Sequence, residues 1–146
     1  MKLARDTRVV VLDGDKALFF CNGGLADRPK LELEREIVQE NPPDREQGSD
    51  QPGRAFSSVG AHRSAFEETD FHQLEQDRFA AQIAELLKKM ALANEYDRLI
   101  VVAPPRTLGM LRKHYHKEVE GRLIGEIGKD LTGHPVPEIE KIILQS

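Results

Sequence analysis

The chain has 146 residues, which is close to the commonest length of a single domain, and we predict one domain over residues 1–146. Charged side chains make up 32% of it but the formal net charge is -4, which excludes the strongly basic composition of a protein that coats nucleic acid. The single cysteine, Cys21, excludes a disulfide framework and a cysteine-based zinc site. The longest apolar run, residues 99–103, is too short for a signal-peptide core or a membrane span. We therefore expect a cytoplasmic protein.

Three short strands are predicted at the start of the chain. Residues 8–12 and 17–21 are apolar runs, and Asp13-Gly14-Asp15 between them contains the Asp-Gly pair that is typical of a tight hairpin. Residues 30–38 alternate between apolar and charged side chains, which indicates an antiparallel strand near the edge of a sheet. One face of this third strand is predicted to hold Leu31, Leu33, Arg35 and Ile37.

Residues 39–69 show no sustained periodicity and contain several prolines and glycines, which predicts a long irregular loop that is either disordered or functional. Within it, residues 53–63 are less acidic than their flanks, and they carry the aromatic Phe56 and the cationic or titratable side chains Arg54, His62 and Arg63. Exposed arginine side chains on a loop are typical of a contact surface. The alternative is a solvated loop without a partner.

Helical spacing begins at Thr69-Asp70, where Asp70 and Gln73 have the spacing of a capping box, and it predicts a helix of more than 20 residues. Residues 99–103 have no polar side chain, which predicts a central strand covered on both faces. A helix at 107–115, a strand at 122–130 and a helix at 138–144 follow.

The order of the predicted elements, β-β-β-α-β-α-β-α, is ribonuclease-H-like and predicts an α/β fold with a mixed five-stranded sheet. The predicted core comprises Val9, Val11, Phe19, Leu74, Phe79, Ile83, Leu86, Ile100, Val102, Leu108, Leu111 and Ile127.

A ribonuclease-H-like order raises the hypothesis of a nuclease, because such enzymes hold two magnesium ions with carboxylates from several elements. Asp13 and Asp15 follow the first strand, but residues 103–105 at the end of the fourth strand supply no carboxylate.

The histidines do not predict a metal site. His114 and His116 are two residues apart, so on a helix they point to different faces and do not form a pair of metal ligands. The sequence favours a non-catalytic protein with no metal and no cofactor. A hydrolase that uses Asp13 and Asp15, or the loop at 53–66, is the alternative.

Residues 106–122 are the strongest candidate for a binding segment. They are rich in basic side chains, and Arg106 lies where a strand feeds the amino end of a helix, a position that attracts anions. A basic patch with aromatic neighbours is typical of phosphate or RNA contact, and a solvated helix face is the alternative. We expect the loop at 53–66 and this helix to meet at one edge of the sheet. The predicted binding residues are Arg54, His62, Arg63, Arg106, Arg112 and Lys113.

Several segments together resemble one bacterial family. Ala103-Pro104-Pro105-Arg106 and Lys129-Asp130-Leu131-Thr132 are the most specific of them, and 53–58 and 77–79 add to the resemblance. The chain resembles the bacterial host attachment proteins, which are similar to the middle domain of archaeo-eukaryotic peptide-chain release factors. The resemblance implies the same fold and a partner that is RNA, tRNA, the ribosome or a regulatory protein. Release factors use a Gly-Gly-Gln loop before the long helix; the corresponding residues 53–66 lack it, so peptidyl-tRNA hydrolysis is not implied.

Overall fold

A computed structural model describes residues 1–39 and 55–146 of the chain, and the side chains within 1–39 and 71–146. Within these residues no helix is long and apolar enough to cross a membrane. The elements in chain order are β1 (Arg8–Leu12), β2 (Lys16–Asn22), β3 (Leu31–Val38), α1 (Ala55–Leu92), β4 (Leu99–Ala103), α2 (Pro105–Arg112), α3 (Lys117–Glu120), β5 (Leu123–Gly128) and α4 (Val136–Gln145).

The five strands form one mixed sheet in the order β3-β2-β1-β4-β5. β1 pairs antiparallel with β2 and β2 with β3, whereas β4 pairs parallel with both β1 and β5. All five residues of β4 are buried, because the run Leu99–Ala103 has apolar side chains for both faces of the sheet. This confirms the predicted α/β fold with a mixed five-stranded sheet and a central fourth strand.

The third strand lies at the edge and differs from its prediction. Phe19 pairs with Arg35 and the next residue, Phe20, pairs with Leu33, so Glu34 is the extra residue of a bulge. One extra residue moves the side chains beyond it to the opposite face. Leu31 therefore packs into the core on one side of the sheet and Ile37 against the core on the other. The prediction that both share a face was wrong.

The long helix begins earlier than predicted. α1 spans 38 residues from Ala55, so the second half of the predicted irregular loop at 39–69 is helical, and Asp70 is not a helix cap. The sequence has no proline between Pro52 and Pro104, and a single Gly60 is tolerated in a helix. Large apolar side chains are few at 55–68, where the sequence has Phe56, Val59 and Phe66, and this is why the periodicity underestimated the helix.

The core consists of two clusters, one on each face of the sheet. α1, α2 and α3 cover one face, on which Val10 and Leu12 of β1 lie; α4 covers the other, with Ile139 and Ile143 against Val9 and Val11. Ten of the predicted core residues are buried, and Leu86 is half-buried against the first cluster. These ten are Val9, Val11, Phe19, Phe79, Ile83, Ile100, Val102, Leu108, Leu111 and Ile127.

Leu74 was predicted to be in the core and is instead 48% exposed. It precedes Ile83 by nine residues, which at 100° per residue is half a turn more than whole turns. Leu74 therefore lies on the side of α1 opposite to Ile83, which is fully buried. Leu74 was predicted to be in the core because it is apolar, but its position does not match the helical phase of the buried residues of α1.

The predicted helix at 107–115 is shorter and is followed by a second one. α2 ends at Arg112, and His116 is extended before α3 begins. The Nδ1 atom of His116 accepts a hydrogen bond of 3.0 Å from the amide of Glu118. His116 is therefore an N-cap, and this accounts for the break.

Candidate functional site

The carboxyl ends of β1, β4 and β5 lie at one edge of the sheet, because these three strands are parallel. Ligands of open α/β sheets bind outside this edge. β1 continues there into the hairpin at 13–15, β4 into α2, and β5 into residues 129–132. Gly128 lies close to the start of α2, since a Cβ atom on it would be 3.5 Å from Cγ of Pro105.

Asp13 holds the hairpin together and links it to the residues after β5. Its Oδ1 accepts hydrogen bonds from the amides of Asp15 and Lys16, at 2.7 and 2.8 Å. Its Oδ2 accepts a bond of 2.8 Å from the hydroxyl of Thr132, which also lies 3.1 Å from Oδ1 of Asp130. The Asp13 carboxylate therefore stabilises the turn. Within the described residues, no group of three His, Cys, Asp or Glu side chains could hold a metal ion.

The start of α2 is open to solvent and basic. Pro104 caps the helix without a side-chain hydrogen bond, so the amides of the first turn have no capping acceptor. Arg106 and Lys113 are both exposed and seven residues apart, which places them on one face, about 10 Å apart along the axis. Neither side chain has a hydrogen bond or ion pair with another described residue. They form a basic face, which we call the Arg106–Lys113 face.

Arg112 points in another direction, onto β5. Its Nε and Nη2 atoms donate to Oε1 of Glu126 at 3.0 and 2.8 Å. The hydroxyl of Tyr115 donates to the other oxygen, Oε2, at 3.1 Å. Burial and the nearby carboxylate of Glu126 raise the pKa of Tyr115, and the hydrogen bond to Glu126 raises the pKa of the Arg112 guanidinium. Both carboxylate oxygens of Glu126 therefore accept hydrogen bonds, one from Arg112 at the end of α2 and the other from Tyr115 just after it.

Helix α1 contacts both this helical region and the hairpin at 13–15. Nε2 of His114 lies 3.2 Å from Oδ1 of Asp77, and Gln76 lies so close to the hairpin that a Cβ atom on Gly14 would be 2.7 Å from its Nε2. α1 therefore contacts the hairpin and the segment after α2 from two neighbouring residues. Substitution of Gly14 by any larger residue requires the Gln76 side chain to move.

The predicted binding residues are only partly brought together. Arg106 and Lys113 share a face, Arg112 is turned to Glu126, and Arg54 lies outside the described residues. His62 and Arg63 belong to α1, but their side chains also lie outside the described part of the chain. Sequence reasoning missed Glu126, Thr132 and Asp77. The signal for Thr132 was present, since Lys129-Asp130-Leu131-Thr132 stood out in the resemblance, whereas the two acids resemble any solvent-facing charge.

Comparison with known proteins gives three similarities. A family model described as bacterial archaeo-eukaryotic release factor family 12 matches residues 6–143. An uncharacterized protein, RP470, of Rickettsia prowazekii (strain Madrid E) is 31% identical over 77 residues, and the match spans 51% of this chain and 51%, about half the length, of that relative. The crystal structure of an archaeal translation termination factor, aRF1, aligns with a TM-score of 0.47 and 13% identity, over 95% of this chain and 40% of that one. Since the family model covers nearly the whole chain, the protein belongs to bacterial archaeo-eukaryotic release factor family 12.

Proposed function

We propose that the protein is a non-catalytic binding module of the translation machinery, and that it contacts a phosphate-rich partner, the ribosome or a structured RNA. Membership of a release-factor-like family over residues 6–143 is the observation that carries this proposal. The partner class follows from the family, whereas the contact surface follows from the charges of α2. Such a module would act in the cytoplasm.

The contact surface is proposed to be the carboxyl edge of the sheet with the basic side chains around it. Arg106 and Lys113 supply two exposed positive charges that no described acid neutralises. Arg54, His62 and Arg63 complete the proposed set, and Arg112 joins it only where phosphate displaces Glu126 from its guanidinium. Lys and Arg side chains that contact phosphates release counterions, so the affinity of such a surface falls steeply as salt rises.

The finer parts of the sequence interpretation belong to this proposal. The strand order β3-β2-β1-β4-β5, with three antiparallel-linked strands before the parallel pair, supports a ribonuclease-H-like architecture. A hydrolase that uses Asp13 gains no support from the site, because both carboxylate oxygens of Asp13 already accept hydrogen bonds within the fold. The resemblance to the bacterial host attachment proteins stays a prediction.

The test is a binding titration of the full chain with ribosomes and with structured RNA at several salt concentrations. Three phosphate contacts predict a log–log slope of affinity against salt of about -2 to -3. Replacing Arg106 and Lys113 together by alanine should weaken binding and make the slope less steep by about 2. The matched control removes two exposed positive charges elsewhere, with Arg5→Ala and Lys141→Ala, and should leave the slope unchanged. Absence of binding by the wild type, or equal effects of the two pairs, would contradict the proposal.

A further inference from the structure

Arg112 differs from its two basic neighbours in having a partner. Its side chain is 57% exposed, yet both Nε and Nη2 donate to one oxygen of Glu126. The Glu126 side chain is 19% exposed, so this carboxylate is mostly withdrawn from water. Among the described residues, Arg112 is the one cation within ion-pair distance of it.

The two partners do not lose equally if they separate. Arg112 would remain in solvent, where a guanidinium is well hydrated. Glu126 would keep the Tyr115 hydroxyl as its sole described side-chain partner, and a poorly solvated carboxylate without a counter-charge is costly. A phosphate that approaches Arg112 must therefore compete with a carboxylate that is already bound and partly desolvated. A phosphate that approaches Arg106 or Lys113 meets no such competitor among the described side chains.

We infer that Glu126 is an internal competitor for phosphate, which keeps Arg112 out of the phosphate-binding set of α2 while Arg106 and Lys113 bind. This inference rests on the proposed function in one respect, that α2 is the phosphate-binding face. Neutralising Glu126 releases Arg112 and adds one phosphate contact. Helix α2 and the residue that follows it therefore offer two cations for phosphate contact, Arg106 and Lys113, and a third, Arg112, once Glu126 is neutral.

The experiment measures the salt dependence of binding to inorganic polyphosphate chains, which present the shared chemistry without a ribosome. Arg106→Ala and Lys113→Ala should each make the log–log slope less steep by about 1, and Arg112→Ala should leave it unchanged. Glu126→Gln should make the slope steeper by about 1. In the double variant Glu126→Gln with Arg112→Ala, that gain should disappear.

The double variant also separates this effect from a loss of folding and from a change in net charge. Arg112→Ala alone leaves the partly buried Glu126 carboxylate without a counter-charge, which can unfold this variant. The double variant has no such carboxylate, so the comparison of Glu126→Gln with and without Arg112→Ala decides the question even then. Three outcomes would overturn the inference: a slope that stays steeper in Glu126→Gln after Arg112→Ala is added, a loss of about 1 when Arg112→Ala is made in the otherwise wild-type protein, or no binding of polyphosphate by the wild type. If polyphosphate follows the expected pattern while ribosomes and RNA do not bind, the proposed function fails and the competition at Arg112 stands.

Discussion

Asp13, Glu126 and Glu140 each join one part of this chain to another. Asp13 bonds to Thr132 across 119 positions, and Oε2 of Glu140 accepts a bond of 2.7 Å from the amide of Leu31 across 109. Glu126 bonds to Arg112 across 14. Each carboxylate therefore connects a strand or a turn to another element, and a substitution that removes only the charge should differ from one that removes the acceptor atoms.

Asp13 allows that comparison. Asp13→Ala removes the acceptor of two backbone amides and of the Thr132 hydroxyl, and we expect the free energy of unfolding to fall by about 1–3 kcal/mol. Asp13→Asn keeps Oδ1 for the two amides and should cost less than about 1 kcal/mol. Urea denaturation of the two variants checks this. Equal losses for both would show that the negative charge of Asp13 contributes more to stability than its acceptor atoms do.

The two tyrosines predict how stability depends on alkaline pH. Burial raises the pKa of Tyr96 to about 12, with its hydroxyl bonded to the carbonyl of Leu87 at 2.9 Å, and the pKa of Tyr115 is raised as well. In the unfolded chain both ionise near pH 10, roughly the value of a free tyrosine. Between these values only the unfolded state loses protons, so stability is full below about pH 10 and falls as the pH rises towards about 12.

For Tyr96 the loss should reach about 2–3 kcal/mol, since one unit of pKa corresponds to about 1.4 kcal/mol. The measurement is the free energy of unfolding from about pH 9 to about pH 12, with Tyr96→Phe as the control that should make the fall shallower and leave the part that is due to Tyr115. The chain has two tyrosines, so phenolate absorbance reports on them alone. Its appearance near pH 10 in the folded protein would contradict the prediction.

At the scale of the elements, the phase of α1 decides which of its apolar side chains contribute to stability. Ile83 is fully buried and faces the sheet, whereas Leu74 is 48% exposed on the opposite side. We expect Ile83→Ala to cost about 2–5 kcal/mol, because it leaves a cavity in the core, and Leu74→Ala to stay within about 0.5 kcal/mol. Chemical denaturation of the two variants is a matched comparison on one helix. A large loss at Leu74 would mean that this side of α1 is covered.

At the scale of the whole molecule, protection should decrease from the centre of the sheet to its β3 edge. All five residues of β4 are buried and β1 lies beside it, whereas β3 has one buried residue in eight. Backbone amides in buried, fully paired strands open only with global unfolding, and those of an exposed edge open locally. Hydrogen exchange resolved by residue should be slowest in β1 and β4 and faster in β3. Equal protection of β3 would require a cover on its outer edge.

The sequence by itself determined the α/β class and the position of each strand in the described part of the chain. A run such as 99–103, with no polar side chain, has to be covered on both faces, and the alternation at 30–38 has to have one face in water. These are local patterns, because neighbouring side chains in a strand point to opposite faces. The resemblance to release factors was confirmed at the level of the family, from short segments that carry residue identity as well as polarity.

The tertiary structure alone decided the details that connect distant residues. The bulge at Glu34, the phase of α1 and the pairing of Arg112 with Glu126 depend on which elements lie side by side, and no local period records that. A carboxylate on a strand has the same sequence pattern whether it faces water or a guanidinium. The sequence therefore located the basic segment at 106–122, whereas only the packing of α2 on β5 separated the exposed Arg106 and Lys113 from the engaged Arg112.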